Sequence, residues 1–277
     1  MPELPEVEST VRYLRERVVG TTIVGADVHW ARSIATHKPK AFQQHITGLC
    51  IDQVFRRGKF IVLASQERAP RFLFVHLRMS GSLDVVSIDS PVAAHDRAIL
   101  TLSNGKTIRF NDTRKFGRMY LCHDPAVVVG KLGIEPLSPE FTPEHLFQET
   151  SKRSTRIKTL LLDQTVIAGL GNIYVDESLW KAGIHPLTPA QRLSRQKCMD
   201  LHAAIVATLQ EAISLAGTDF GDGVVEGGMY TPVVYGQDGE ACSRCGTTIK
   251  KTTVTQRGTH FCPCCQPTPR KVRKRVR

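Results

Sequence analysis

The rhythm of apolar positions changes along the chain. Val7, Val11, Leu14 and Val18 recur at i, i+4, i+7 and i+11, the spacing of one helical face, and Gly20 follows as a helix stop. Ahead of that face stands MPELPEVE. Pro5 fits a first helical turn, and Glu6 and Glu8 suit the positive end of the helix dipole. From Thr21 to about Cys122 the pattern shortens to β-prone runs, with strands predicted at Phe60–Ala64 and Phe72–Leu77. AILTLSNGKTIRFND places Asn104-Gly105 between two such runs and predicts a hairpin closed by a type I′ turn. Several strands with turn signals predict a sandwich of antiparallel sheets. Around GIEPLSPEFTPEH proline density rises and the β texture ends, which predicts a linker near 133–143. Beyond it the pattern is helical, with a long periodic segment from Ser194 to Ala216. DFGDGVVEGGMY is rich in glycine and short of core residues, and predicts a mobile, functional loop.

Composition narrows the class. A chain of 277 residues with a 41% apolar fraction is long enough for two or three globular domains. The start lacks a basic segment followed by an apolar stretch, which argues against a signal peptide. No apolar run is long enough to predict a membrane span. The formal net charge of +11 points to a polyanionic partner, most often nucleic acid, although charge speaks to partners and not to fold. The ending PTPRKVRKRVR is a dense basic run, either a solvated tail or a segment that lies along phosphates.

Cysteine placement adds a metal. Cys242, Cys245, Cys262, Cys264 and Cys265 crowd one C-terminal stretch, while Cys50, Cys122 and Cys198 are scattered. Clustering of this kind reads as a metal site in a reducing compartment, not as a disulfide framework. Cys242 and Cys245 form one C-x-x-C pair and Cys262 and Cys265 the other, at a spacing that fits a closed four-cysteine zinc site. Cys264 competes with Cys265, and the two-pair spacing favours Cys265. The residues between the pairs predict a hairpin with Gln256-Arg257-Gly258 at its tip. Upstream, Gly169-Leu170-Gly171-Asn172 lacks the third glycine and preceding strand of a dinucleotide fingerprint. It reads better as a tight double turn between helices, where small residues allow close approach to a phosphate and Asn172 adds a side-chain donor. A plain helical hairpin is the alternative.

MPELPEVE, HLRMSGSL, NDTRKFGR, GLGNIYVDE and the terminal CxxC…CxxC with QRGTHFC between its pairs occur in one order, and together they resemble the formamidopyrimidine-DNA glycosylase family of bacteria from Met1 to about Gln266. The resemblance implies an α+β multidomain fold. Its parts are an N-terminal antiparallel β-sandwich domain with a leading helix (1–132), a helix–two-turn–helix domain with a lesion-capping loop (133–235), a C-terminal four-cysteine zinc finger (236–267) and a basic tail (268–277). It implies a base-excision repair enzyme, a DNA glycosylase and AP lyase acting on oxidised purines such as 8-oxoguanine and formamidopyrimidines in double-stranded DNA. One structural Zn2+, a monomeric state and a location in the bacterial cytoplasm at the nucleoid come with it.

Position by position, the resemblance makes Pro2 the amine nucleophile once Met1 is removed, and Glu3 the acid. Glu6 is the second carboxylate of that motif. Lys59 matches the proton donor of β-elimination, and Arg257 the zinc-finger residue linked to δ-elimination and phosphate binding. His95, Arg114, Arg153, Lys158 and Asn172 match DNA contacts. Met79, Arg114 and Phe116 match the residues that fill the gap left by a flipped base, and Cys242, Cys245, Cys262 and Cys265 match the zinc ligands. The glycine-rich stretch from Thr218 to Tyr235 looks shortened against the family's lesion-covering region, and Cys264 and the basic extension lie outside the family core. One rival is the related endonuclease VIII branch for oxidised pyrimidines, against which PELPE and the zinc pattern argue. The other is a non-catalytic DNA-binding zinc protein, which has no need of an intact Pro2–Glu3 pair.

Overall fold

The computed structural model describes residues 1–66, 69–218 and 227–269. The chain divides into two compact units, Met1–Leu132 with Ala212–Tyr230, and Gly133–Glu211 with Thr231–Arg277. Most of the glycine-rich stretch (219–226) and the basic tail from 270 onward lie outside the described residues.

The first unit opens with α1 (Leu4–Val18), which buries Val7, Val11, Leu14 and Val18 as their spacing predicts. Then come β1 (Thr22–Val28), α2 (Pro39–Ile46), β2 (Leu49–Cys50), β3 (Gln53–Arg57), β4 (Phe60–Ala64), β5 (Phe72–His76), β6 (Gly81–Ser87), β7 (Asp96–Leu102), β8 (Lys106–Asp112), β9 (Arg118–Cys122) and the short α3 (Ala126–Val129). The strands form two antiparallel sheets, one of order β2-β1-β7-β8-β6 and one of order β3-β4-β5-β9. Side chains from both sheets (Leu100 and Phe110 from one, Leu63 and Leu73 from the other) share one core with the apolar face of α1. Burial of each such side chain contributes roughly 1.5–3 kcal/mol relative to exposure. This packing fixes α1, and with it the first residues of the chain.

The hairpin joining β7 and β8 departs from the sequence expectation. Gly105 has a φ of +77°, but Asn104 is not in the left-handed region, so the turn is not type I′. Ser103, Asn104 and Gly105 form a three-residue connection in which only the last position needs positive φ, the usual alternative to a two-residue turn.

The second unit contains α4 (Pro143–Ser151), α5 (Ile157–Leu162), α6 (Asn172–Lys181), α7 (Arg195–Ser214, its last residues counted with the first unit) and the hairpin β10 (Lys250–Val254) with β11 (Arg257–Phe261). Thr142 caps α4, its hydroxyl accepting from the His145 N–H at 3.1 Å. α6 is buried all round from Ile173 to Trp180, as a helix enclosed by its neighbours must be. Trp180 of α6, Val234, Cys242, Ile249 and Cys262 form a small separate core. The hairpin tip also differs from expectation. Thr255 and Gln256 occupy it with φ of +49° and +58°, and Arg257 is the first residue of β11, paired with Val254. Two non-glycine residues in the left-handed region persist only where the surroundings over-determine them.

Candidate functional site

In the first unit, Pro2, Glu3 and Glu6 are all buried. Glu3 is the N-cap of α1, and it closes a reciprocal capping box with Glu6. The Glu3 N–H donates to Glu6 Oε2 at 2.7 Å, while Glu6 Oε1 accepts from the Thr218 N–H at 2.9 Å. One carboxylate therefore braces both the start of the chain and the first residue of the glycine-rich stretch. Gly217 permits this approach: it has a φ of +85°, and a Cβ there would lie 2.7 Å from Glu6 Oε1. Glu6 thus fixes the backbone at the helix start that carries Pro2 and Glu3.

Lys59 is buried in the turn between β3 and β4, next to Gly58 with a φ of +57°. His76 ends β5 and pairs with Phe60, and its ring is pushed down to about 3 by burial first, then by the charges of Arg78 and Lys59. Its Nδ1 accepts from the Arg78 N–H at 3.0 Å, so Nε2 carries the proton of a ring that is neutral near pH 7. His76 was not singled out in the sequence, since a histidine at a strand end carries no signal until its neighbours are known.

Asp112, also missed in the sequence, organises the predicted wedge. It is fully buried at the end of β8. Its Oδ1 accepts from Ser80 Oγ at 2.6 Å and from the Arg114 N–H at 3.2 Å, and its Oδ2 from the Gly117 N–H at 2.7 Å. Its carbonyl accepts from Arg97 Nε at 2.7 Å, and Arg97 Nη2 lies 3.1 Å from His95 Nδ1. The loop carrying Met79, the loop carrying Arg114 and Phe116, and His95 are thereby tied to one aspartate. Met79, Arg114 and Phe116 are exposed, with the Arg114 guanidinium 5.2 Å from the Phe116 ring centroid. Arg78 and Lys115, beside Met79 and Phe116, have φ of +59° and +61°, so both loops hold strained backbone. Lys115 Nζ sits 4.3 Å from the Trp30 ring centroid.

Replacement of Asp112 tests this arrangement. Asp112→Ala takes the acceptor from two buried donors, Ser80 Oγ and the Gly117 N–H, while the Arg114 N–H keeps Ser80 Oγ, and each unsatisfied group costs about 1–3 kcal/mol. Binding to abasic-site duplex should fall at least about tenfold, as the two loops lose their common anchor and about 1.4 kcal/mol equals a factor of ten. Asp112→Asn retains one acceptor and should lose less. Gel-shift titration of the two variants checks the order, and wild-type affinity in Asp112→Ala would refute it.

In the second unit Lys158 turns inward. Its side chain is fully buried, with Nζ 2.7 Å from Asp176 Oδ1 and donating to the Gly258 carbonyl at 3.1 Å. Through these bonds it joins α5, α6 and the hairpin. Asp176 Oδ2 accepts from the His260 N–H at 2.9 Å. Asn172 also turns to the hairpin, its Nδ2 donating to the Gly258 carbonyl at 2.9 Å. The double turn ahead of it is braced by Gln164, whose Oε1 accepts from the Gly169 N–H and whose Nε2 donates to the Leu170 carbonyl. Arg153 pairs with Glu149, while Arg257 is exposed beside the hairpin tip. Glu177, also missed, accepts from the backbone N–H groups of Val233, Val234 and Tyr235, and burial pushes its carboxyl up against the opposing effect of those bonds. The available signal was two adjacent acids inside an otherwise apolar helix.

The sulfurs of Cys242, Cys245, Cys262 and Cys265 lie within 4.8 Å of one another, with pairs at 3.5, 3.5 and 3.9 Å. Tetrahedral zinc with Zn–S bonds of about 2.3 Å requires sulfurs roughly 3.8 Å apart, so the quartet fits the ion. Cys264 is exposed and outside the quartet. Four clustered thiols do not ionise together without a cation. Hydrogen bonds, chiefly from Thr247, bring Cys245 down to about 6, whereas burial and then the other thiols push Cys265 up to about 12. The four cysteines form a site for one structural zinc ion, which closes the base of the hairpin that presents Arg257.

Comparison with known proteins agrees with this architecture. Residues 1–119 match the formamidopyrimidine-DNA glycosylase N-terminal domain, 132–222 its H2TH domain, and 239–268 a zinc finger found in formamidopyrimidine-DNA glycosylase and isoleucyl-tRNA synthetase. The formamidopyrimidine-DNA glycosylase of Brevibacillus brevis is 45% identical, and the alignment covers 96% of this chain and 99% of that protein. That of Protochlamydia amoebophila is 42% identical at the same coverage. The fold matches a Lactococcus lactis Fpg in complex with abasic-site DNA with a TM-score of 0.87 and 36% identity, covering 96% of this chain and all of that one. Another structure, with the same TM-score and identity, holds the Lactococcus lactis protein on DNA containing an oxidised pyrimidine. With its three matched domains and full-length relatives above 40% identity, the chain belongs to the formamidopyrimidine-DNA glycosylase family.

Proposed function

We propose that this protein excises oxidised purines from double-stranded DNA and then cuts the abasic site, with the amine of Pro2 as nucleophile. The observation that supports it best is the buried Pro2–Glu3 pair at the rigid start of α1, its backbone held by Glu6. A base within a duplex is out of reach, so the nucleotide is extruded first. Met79 and Phe116 fill the vacated stack and Arg114 hydrogen-bonds the orphaned partner, at a cost of a few kcal/mol per unstacked step. Lysine and arginine contacts to phosphate offset that cost.

At the sugar, the Pro2 amine attacks C1′. An α-amino group with an ordinary pKa of about 7.7–8.0 is far more often free base at neutral pH than a lysine. Glu3 protonates the ring oxygen as the sugar opens, the base departs, and an iminium joins Pro2 to C1′. The iminium acidifies C2′, and elimination expels the 3′ phosphate. A second elimination releases the 5′ phosphate. Lys59, with the neutral His76 beside it, serves the first of these steps. Arg257 supplies a permanent positive charge to a leaving phosphate, because guanidinium does not deprotonate. The same reading includes a monomer working at the nucleoid in the bacterial cytoplasm, with loop residues 218–235 covering the lesion.

Borohydride reduction should trap a covalent adduct between methionine-processed protein and duplex containing 8-oxoguanine opposite cytosine. Absence of an adduct, even on an abasic substrate, would leave only the DNA-binding alternative. A second reading, preference for oxidised pyrimidines, draws support from the oxidised-pyrimidine DNA bound by the Lactococcus lactis relative. Parallel cleavage of both lesion classes decides between them, and faster purine cleavage is expected.

A further inference from the structure

His95 is exposed, yet the first unit fixes both its backbone and its ring. The backbone is held by its neighbours. The Asp112 N–H donates to the His95 carbonyl at 3.0 Å, and the Asp96 N–H donates to the Ala93 carbonyl at 3.1 Å. Asp96 Oδ2 accepts from the Ala93 N–H at 2.9 Å and from Arg109 Nη1 at 3.4 Å. Arg109 is buried, and its Nη2 donates to the Ser90 carbonyl at 3.0 Å. The segment that leads to His95 is therefore pinned at Ser90, at Ala93 and at His95 itself.

The ring is held by Arg97. This arginine is buried, with Nε donating to the Asp112 carbonyl at 2.7 Å and Nη2 3.1 Å from His95 Nδ1. A guanidinium has no acceptor, so Nδ1 accepts and carries no proton. In this arrangement the ring is neutral and its one proton sits on Nε2. Nε2 itself has no hydrogen bond among the described residues. A buried donor anchored on the end of β8 thus selects one tautomer and one ring orientation, as a supporting hydrogen bond does for a preorganised contact group.

We propose that Arg97 is a positioning residue that presents His95 to a backbone phosphate oxygen of the duplex as a neutral Nε2–H donor. The proposal rests on the reading of His95 as a DNA contact. Such a contact sets the register of the duplex, whereas counterion release comes from lysine and arginine. The two kinds of contact are therefore separable by their response to salt.

Titration of labelled abasic-site duplex with the zinc-loaded full chain, repeated over a series of KCl concentrations at neutral pH, tests this. His95→Ala should weaken binding about fivefold, the loss of one hydrogen bond. The slope of log affinity against log salt should stay as in the parent, because a neutral donor releases no counterion. That measurement leaves the buried arginine untouched. Arg97→Met should also weaken binding. In a double-mutant cycle the two losses should fall short of additive by at least about threefold, because Arg97 acts through His95. The cycle cancels what Arg97 contributes through the Asp112 carbonyl alone. Unchanged affinity in His95→Ala would remove the DNA contact, and the proposal with it. Weakened binding with a slope shallower by about 1, or additive losses in the cycle, would overturn the proposal and leave the contact in place.

Discussion

A chain with a blocked N-terminus, either retaining Met1 or carrying an uncleaved extension, binds damaged duplex as tightly as processed protein and leaves the base attached. With Met1 present the Pro2 nitrogen is a tertiary amide. Its lone pair is delocalised into the carbonyl, so it is neither basic nor nucleophilic. On the proposed reading the phosphate contacts and the wedge loops do not depend on that nitrogen, so affinity should survive. Excision does depend on it, and loss of a covalent nucleophile costs at least about a thousandfold in rate. Single-turnover excision on 8-oxoguanine duplex, beside gel-shift titration, reads both quantities on samples whose N-terminus is verified by mass spectrometry. Glu3→Gln separates the roles further: the amine remains and the proton donor is lost, so trapping on a preformed abasic site should outlast excision of an intact base. Equal excision rates with and without the block would assign the chemistry to another group.

What could be read from the sequence was local. The α1 face follows from four valines and leucines at helical spacing, and the zinc quartet from two C-x-x-C pairs whose sulfurs meet in the structure. The motif residues Met79, Arg114 and Phe116 are exposed on loops that Asp112 ties together. What could not be read depends on partners far apart in the chain. Asp112 reaches Ser80 across 32 positions, Asp176 reaches His260 across 84, and Glu6 reaches Thr218 across 212. No periodicity encodes such pairs. Lys158 shows the consequence: the family motif implies a phosphate contact there, and only the structure shows its enclosed carboxylate partner. The turns show another limit. Asn104-Gly105 is compatible with both a two-residue and a three-residue connection, and Thr255-Gln256 carries no glycine to announce its positive φ.

Asp176→Ala should destabilise the second unit by about 3–5 kcal/mol, the cost of leaving a buried charge without its partner. Lys158 Nζ would lose its carboxylate, and the His260 N–H would lose its acceptor. The hairpin would then keep zinc at its base and the Asn172 bond to Gly258, but lose the tie from α6 to His260, three residues from Arg257. Zinc content should therefore stay at one per chain while strand nicking falls. The double variant Lys158→Met/Asp176→Leu removes the stranded charge and replaces it with apolar packing, so it should recover more than half of the lost stability. It should not recover nicking, because the His260 N–H anchor remains absent. Denaturant unfolding followed by Trp180 emission in a Trp30→Phe background reports on the second unit alone. An Asp176→Ala midpoint corresponding to less than about 1 kcal/mol of loss would mean that the pair behaves as a surface ion pair and does not anchor the hairpin. Recovery of nicking in the double variant would place the function of these residues in their charge, not in the position they give to Arg257.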